Sequence, residues 1–179
     1  MNLYQSKAIL IIDAQLCAFE GTLAPACYKA SELLLKIATL LEMARNNGTP
    51  VIFIQHCGLP GQLFAEGADQ WCIHPQISPT KKELVIQKRE SSAFSGTELE
   101  MVLANMGVDT IITCGLQSEH CVSNTCLAAL ALGMKVQVVS DAHSTWSTDQ
   151  DEASEIIRRQ NQLLASKGVV CQPLAEYLA

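Results

Sequence analysis

Ala8-Ile9-Leu10-Ile11-Ile12-Asp13 is an unbroken apolar run stopped by an acid, and its reading decides the fold. The run is too short for a helix, rich in β-branched residues and apolar on both faces, which predicts a strand buried on both sides. Working outward, Ser31–Asn47 carries apolar residues at helical spacing (Leu34, Ile37, Ala38, Leu41) and stops at Asn46-Asn47-Gly48, a helix-ending sequence. Val51–Gln55 and Leu84–Gln87 read as two more buried strands. Gly96-Thr97 opens a helix with Glu98 and Glu100 in its first turn, where the dipole favours acids, and Gly107 closes it. Asp109–Cys114 is the next strand, Ser118–Leu132 a helix rich in small residues ended by Gly133, and Lys135–Ser140 a further strand. Asp149–Ser166 reads as a long final helix, followed by Val169-Val170. Buried strands alternating with helices imply a parallel sheet covered on both faces, and right-handed crossovers make it a doubly wound α/β fold. Ligands of such sheets bind outside the carboxyl ends of the strands.

The 179 residues form one expected domain, 49% hydrophobic and 17% charged, which supplies a packed core and argues against disorder. A formal charge of −6 without a basic cluster offers nothing to a nucleic-acid backbone or an anionic membrane surface. No apolar stretch approaches the ~20 residues of a membrane helix. The N-terminus lacks a basic region followed by a long apolar run, so a cytoplasmic location is expected. The eight cysteines contain no CxxC pair, and the four histidines (56, 74, 120, 143) have no metal-ligand spacing. Most of these cysteines therefore read as small buried hydrophobes.

The strand-end rule selects Asp13, Gln55-His56, Lys88, Gly115–Cys121 and Asp141-Ala142-His143. GxGxxG, the GxxxxGK[ST] phosphate loop and the GxSxG elbow are all missing. Cys121 lies near the start of a helix, where free N–H groups and the dipole can lower a thiol pKa and hold an oxyanion; the competing reading is a small thiol packed on the sheet. Asp13 can be a helix cap or a partly desolvated carboxylate that shuttles protons. Lys88, beside Arg89, can be solvated or can favour a neighbouring thiolate. Together the three supply a nucleophile, a proton acceptor and a fixed positive charge. Aromatics are scarce, and Phe19, Trp71, Phe94 and Trp146 all follow strand ends, where they could wall an apolar substrate site or belong to the core. Gln15 and Gln55 are candidate substrate hydrogen-bonders; His56, His120 and His143 read as hydrogen-bonded loop residues, or as bases in a Cys–His alternative.

Three stretches carry a resemblance: Ile9-Leu10-Ile11-Ile12-Asp13-Ala14-Gln15, Gln87-Lys88-Arg89-Glu90-Ser91-Ser92-Ala93-Phe94 with Gly96-Thr97, and Gly115-Leu116-Gln117-Ser118-Glu119-His120-Cys121-Val122. In this order, and with Val138–Trp146 as a continuation, they resemble the isochorismatase-like cysteine hydrolases over residues 7 to about 165. The resemblance implies a three-layer α/β/α sandwich on a six-stranded parallel sheet, and a homo-oligomer, dimer or larger. It implies a catalytic triad of Asp13, Lys88 and Cys121, and a cis peptide before Gln117 that aims the Gln117 and Cys121 N–H groups at one oxyanion. Nicotinamidase-like members carry an Asp-x-His metal cluster after the second strand. Gln55-His56-Cys57-Gly58 has no acid there, so no metal and no cofactor are expected. Retention of Cys121 favours a small-molecule amide over the vinyl ether of isochorismate, and the chain looks most like the streptothricin-hydrolase-like and uncharacterised branch. An ether hydrolase and a non-catalytic, redox-sensing family member are the competing readings.

Overall fold

β1 (Ser6–Ile12), β2 (Val51–His56), β3 (Leu84–Lys88), β4 (Val108–Leu116), β5 (Lys135–Ser144) and β6 (Val170–Gln172) form one sheet in the order β3-β2-β1-β4-β5-β6. Every pairing in it is parallel. The computed structural model describes residues 6–21 and 23–178. β1 lies inside the sheet, and the alternation of its side chains builds two cores. Ile9 and Ile11 face α1 (Ala30–Asn47), meeting Leu33, Ile37, Leu40 and Leu41, with Leu174 of α5 (Leu174–Tyr177) beside them. Ala8, Leu10 and Ile12 face the other side, where α2 (Leu99–Asn105), α3 (Ser123–Ala131) and α4 (Ala153–Ser166) contribute Leu99, Leu103, Cys126, Ala129 and Leu164. The result is the expected three-layer α/β/α sandwich. Ile9 to Ile12 are fully buried, each worth about 2–3 kcal/mol of apolar transfer. Among the described residues no helix is long and apolar enough to cross a membrane.

Several boundaries differ from the sequence expectation for local reasons. The helix expected from Asp149 begins at Ala153, because Ser147 Oγ accepts from the Ala153 N–H and Thr148 closes a turn with Asp151. The helix expected at Gly96-Thr97 begins at Leu99, with Thr97 Oγ1 accepting from the Leu99 N–H. β3 is an edge strand rather than a buried one: Leu84 and Val85 are 46% and 41% exposed, while Ile86 and Lys88 point inward. β5 runs on through Ser144, so Asp141, Ala142 and His143 are strand residues, not a following loop. The segment expected to be helical from Ser118 starts as a π-helical turn, Ser118–Val122, before α3 takes over.

The strand order reverses between β1 and β4. β1, β2 and β3 spread to one side, and β4 returns to the other side of β1. The crevice at this switch point is where such sheets hold ligands; Asp13 leaves β1 on one side of it and the Gln117–Cys121 segment leaves β4 on the other.

Candidate active site

Asp13 follows the last residue of β1 with φ of 49°, a left-handed conformation that aspartate tolerates better than a β-branched residue. Its N–H donates to Ile54 O at 2.9 Å, and the residue is 1% exposed. Gly115 lies opposite Ile12 in the sheet register. A Cβ at Gly115, whose φ is 114°, would stand 2.0 Å from Ile12 O, so only glycine lets the two strand ends come this close. The Leu116–Gln117 peptide bond is cis.

The π turn presents Cys121. Gln117 O accepts from the N–H groups of His120 and Val122, each at 3.1 Å, straddling Cys121. A buried relay pins the start of this turn. Asn161 Nδ2 donates to Ser140 O at 2.9 Å, which turns its Oδ1 toward His143 Nε2 at 3.0 Å. His143 Nε2 therefore carries the proton, and Nδ1 accepts from Ser118 Oγ at 2.7 Å. Burial holds the His143 pKa below its ordinary value, consistent with a neutral ring in this relay.

Lys88 is the last residue of β3. Its side chain is fully buried, with Nζ 2.8 Å from Asp13 Oδ2. Nζ also lies 3.1 Å from Cys121 Sγ, 3.1 Å from His56 Nδ1 and 3.1 Å from Glu90 O. A buried ion pair holds only when its hydrogen-bonding capacity is met, and the ammonium has acceptors on all sides. Burial lowers the Lys88 pKa, but the charges of Asp13 and Cys121 outweigh it and the net direction is upward. Burial raises Asp13, with Lys88 opposing, and pushes the Cys121 thiol up to about 11. His56 is lowered by burial and by the Lys88 charge; its Nδ1 accepts from Lys88. Asp13, His56 and Cys121 place donor atoms within 4.8 Å of one another, as metal ligands would. All three side chains contact the Lys88 ammonium, so the cation that this cluster surrounds is part of the chain.

The other sequence candidates divide. Gln15 does not offer its amide to a substrate: it is fully buried, Nε2 donates to His56 O and Trp71 O, and Oε1 accepts from the His56 N–H. Trp71 Nε1 also donates to His56 O, at 2.7 Å, and Gln55 Nε2 to Trp71 O. Gln15, Gln55 and Trp71 thus lock the end of β2 and hold His56 against Lys88. Phe19 packs edge-on to His74 at 5.2 Å and Trp146 Nε1 donates to Pro25 O; both join the core on the α1 side. Phe94 packs in the opposite core together with Cys121. His120 is largely exposed. Sequence reasoning missed the contact of His56 with Lys88, which follows from the β2–β3 register pairing His56 with Lys88. It also missed Ser91, whose Oγ lies 3.9 Å from Cys121 Sγ.

Gln15→Ala is expected to destabilise the fold by about 1–3 kcal/mol in urea denaturation, because it orphans the part-buried His56 N–H and weakens two part-buried carbonyls.

The chain matches the Isochorismatase domain over residues 7–165. It is 35% identical over 140 residues to a streptothricin hydrolase of Streptomyces noursei, covering 78% of this chain and 50% of that protein. It is 32% identical over 151 residues to an uncharacterised isochorismatase-family protein of Bacillus subtilis, covering 83% and 79%. An N-carbamoylsarcosine amidase of an Arthrobacter species is 40% identical over 90 residues, 50% of this chain and 34% of that protein. The chain thus spans about half the length of the streptothricin hydrolase it matches. The crystal structure of an isochorismatase from Pseudomonas putida superposes with a TM-score of 0.88 at 30% identity, covering 96% of this chain and 90% of the other. With the matched domain spanning the first five strands and the Asp13–Lys88–Cys121 cluster, the chain belongs to the isochorismatase family.

Proposed function

We propose that the protein is a hydrolase that cleaves an amide-type carbon–nitrogen bond of a small molecule through an acyl-thioester on Cys121. The observation that carries this reading is the Lys88 ammonium between Asp13 and Cys121, 2.8 Å from the carboxylate and 3.1 Å from the sulfur. The names of two relatives, streptothricin hydrolase and N-carbamoylsarcosine amidase, support the C–N class.

In water a thiol gives up its proton to a carboxylate only at a large cost. Burial narrows the gap by raising Asp13, and Lys88 stays charged whichever partner holds the negative charge. Asp13 takes the Cys121 proton as Sγ attacks the carbonyl carbon. The C=O pair moves onto oxygen, which the Gln117 and Cys121 N–H groups receive. Such donors are each worth about 3 kcal/mol at the transition state. Collapse breaks the C–N bond, and the departing amine takes the proton from Asp13. A water then attacks the thioester and gives Asp13 its proton. Collapse releases the acid and returns the proton to sulfur. Phe94, packed against the same apolar core as Cys121, is a candidate to flank the acyl group.

A mass-spectrometric screen of small amides tests the reading, with an acyl adduct on Cys121 as the expected signature and its absence across a broad panel as the refutation. Asp13→Asn is expected to lower kcat on any active amide by about 10³-fold or more, since it removes the proton carrier from both half-reactions. Single-turnover kinetics should show acylation, not binding, as the step lost.

A further inference from the structure

Lys88 approaches the sulfur as one donor; a second donor follows it by one turn of chain. Ser91 Oγ lies 3.9 Å from Cys121 Sγ, and Asn124 Nδ2 donates to the same Oγ at 2.8 Å. The amide has committed one lone pair of the hydroxyl, which leaves the Ser91 proton to find another acceptor. Cys121 Sγ is an acceptor in its reach. Asn124 sits in the first turn of α3, three residues after Cys121, where side chains share one helix face. The segment bearing the thiol therefore also carries the group that aims the serine at it.

We propose that Ser91 is a catalytic residue of this site, donating a hydrogen bond to Cys121 Sγ as the thiolate forms, with Asn124 as the positioning residue that directs its hydroxyl. The proposal rests on the reading of Cys121 as the nucleophile. A 3.9 Å contact is weak while the sulfur is a neutral thiol, and it shortens when the sulfur gains negative charge, because charge-assisted hydrogen bonds are shorter and stronger. An interaction that strengthens along the reaction lowers the barrier, whereas one equally strong at rest does not. The thiol faces Asp13 at the end of β1, His56 at the end of β2, Lys88 at the end of β3 and Ser91 beyond it, with Glu90 next in the chain. Ser91 is the neutral donor of this group and keeps its proton across the range in which the others titrate.

Iodoacetamide alkylation of Cys121, followed against pH by mass spectrometry, tests this without any substrate. Ser91→Ala is expected to displace the alkylation profile about one unit toward alkaline pH and to lower kcat on an active amide about tenfold with KM little changed. Ser91→Thr, which keeps the hydroxyl, should restore both. Asn124→Leu should give part of the displacement, and Ser91→Ala with Asn124→Leu no more than Ser91→Ala alone. An unchanged profile in Ser91→Ala overturns the proposal, as does an Asn124→Leu displacement that adds in full to it. If Ser91→Ala does not fold by circular dichroism, Asn124→Leu decides, and a wild-type profile there overturns it. A wild-type enzyme that turns over no amide refutes the proposed function, while the alkylation profiles still decide the role of Ser91.

Discussion

Cys121→Ala is expected to abolish turnover, by about 10⁴-fold or more, while leaving the fold intact. Cys121 is the thiol set against both Lys88 and Asp13, so its removal closes the route to an acyl-thioester; losses of this size follow removal of a covalent nucleophile elsewhere. The fold should be spared for a separate reason. Lys88 keeps Asp13 Oδ2, His56 Nδ1 and Glu90 O when the sulfur goes, so no buried charge is stranded, and loss of one sulfur at a half-buried position stays within about 1 kcal/mol. Cys121→Ser should be nearly as inactive, because a hydroxyl is far more basic as an anion than a thiol. Initial rates on an active amide together with urea midpoints check both halves. Retained activity in Cys121→Ala would remove the nucleophile assignment.

Gly115→Ala is expected to be the most damaging alanine substitution among the glycines, costing about 4 kcal/mol or more and with it the folded state. A Cβ there meets Ile12 O at 2.0 Å and Ile12 N and C at 2.9 Å, all backbone atoms of β1. A backbone in the middle of a sheet cannot step aside as a side chain can, so the strands would have to part where Asp13 and the cis Leu116–Gln117 bond are set. Gly48 is the control: its φ of 67° is also positive, but a Cβ there meets nothing within 4 Å. Gly48→Ala should cost only about 1 kcal/mol, the left-handed penalty alone. Urea midpoints for the two variants separate collision from conformational preference. A soluble Gly115→Ala of near wild-type stability would mean that β1 and β4 approach less closely than described.

The layers of the fold were legible because the apolar runs of β1 and β2 are continuous, and continuous runs mark strands covered on both faces. β3 misled for a physical reason: Leu84 and Val85 are apolar yet exposed on an edge, and an edge position is a property of strand order, which local sequence does not carry. Asp13, Lys88 and Cys121 could be picked out because each lies at or just beyond a strand end, where a doubly wound sheet gathers chemistry. Gln15 and Trp71 were placed at the substrate, whereas the structure gives their polar groups to the backbone around His56. Polarity near a strand end announces a partner without saying whether that partner is a ligand or a peptide group. Phe19 and Trp146 show the same ambiguity for aromatics, settled by which side of the sheet their loops return to. The π turn and the contacts of Ser91 and Asn124 left no periodic trace, since a single extra residue in a turn is invisible to a helical pattern.

The placement of β1 inside the sheet has a consequence for biosynthesis. Its two neighbours are β2 and β4, and β4 begins only at Val108. A nascent chain that has released β1, β2 and β3 from the ribosome therefore presents the unpaired rim of its most apolar strand until more than half of the polypeptide has emerged. Unpaired strand rims recruit other chains. Premature termination before β4 should therefore yield aggregates and substrates for chaperones rather than a smaller working domain.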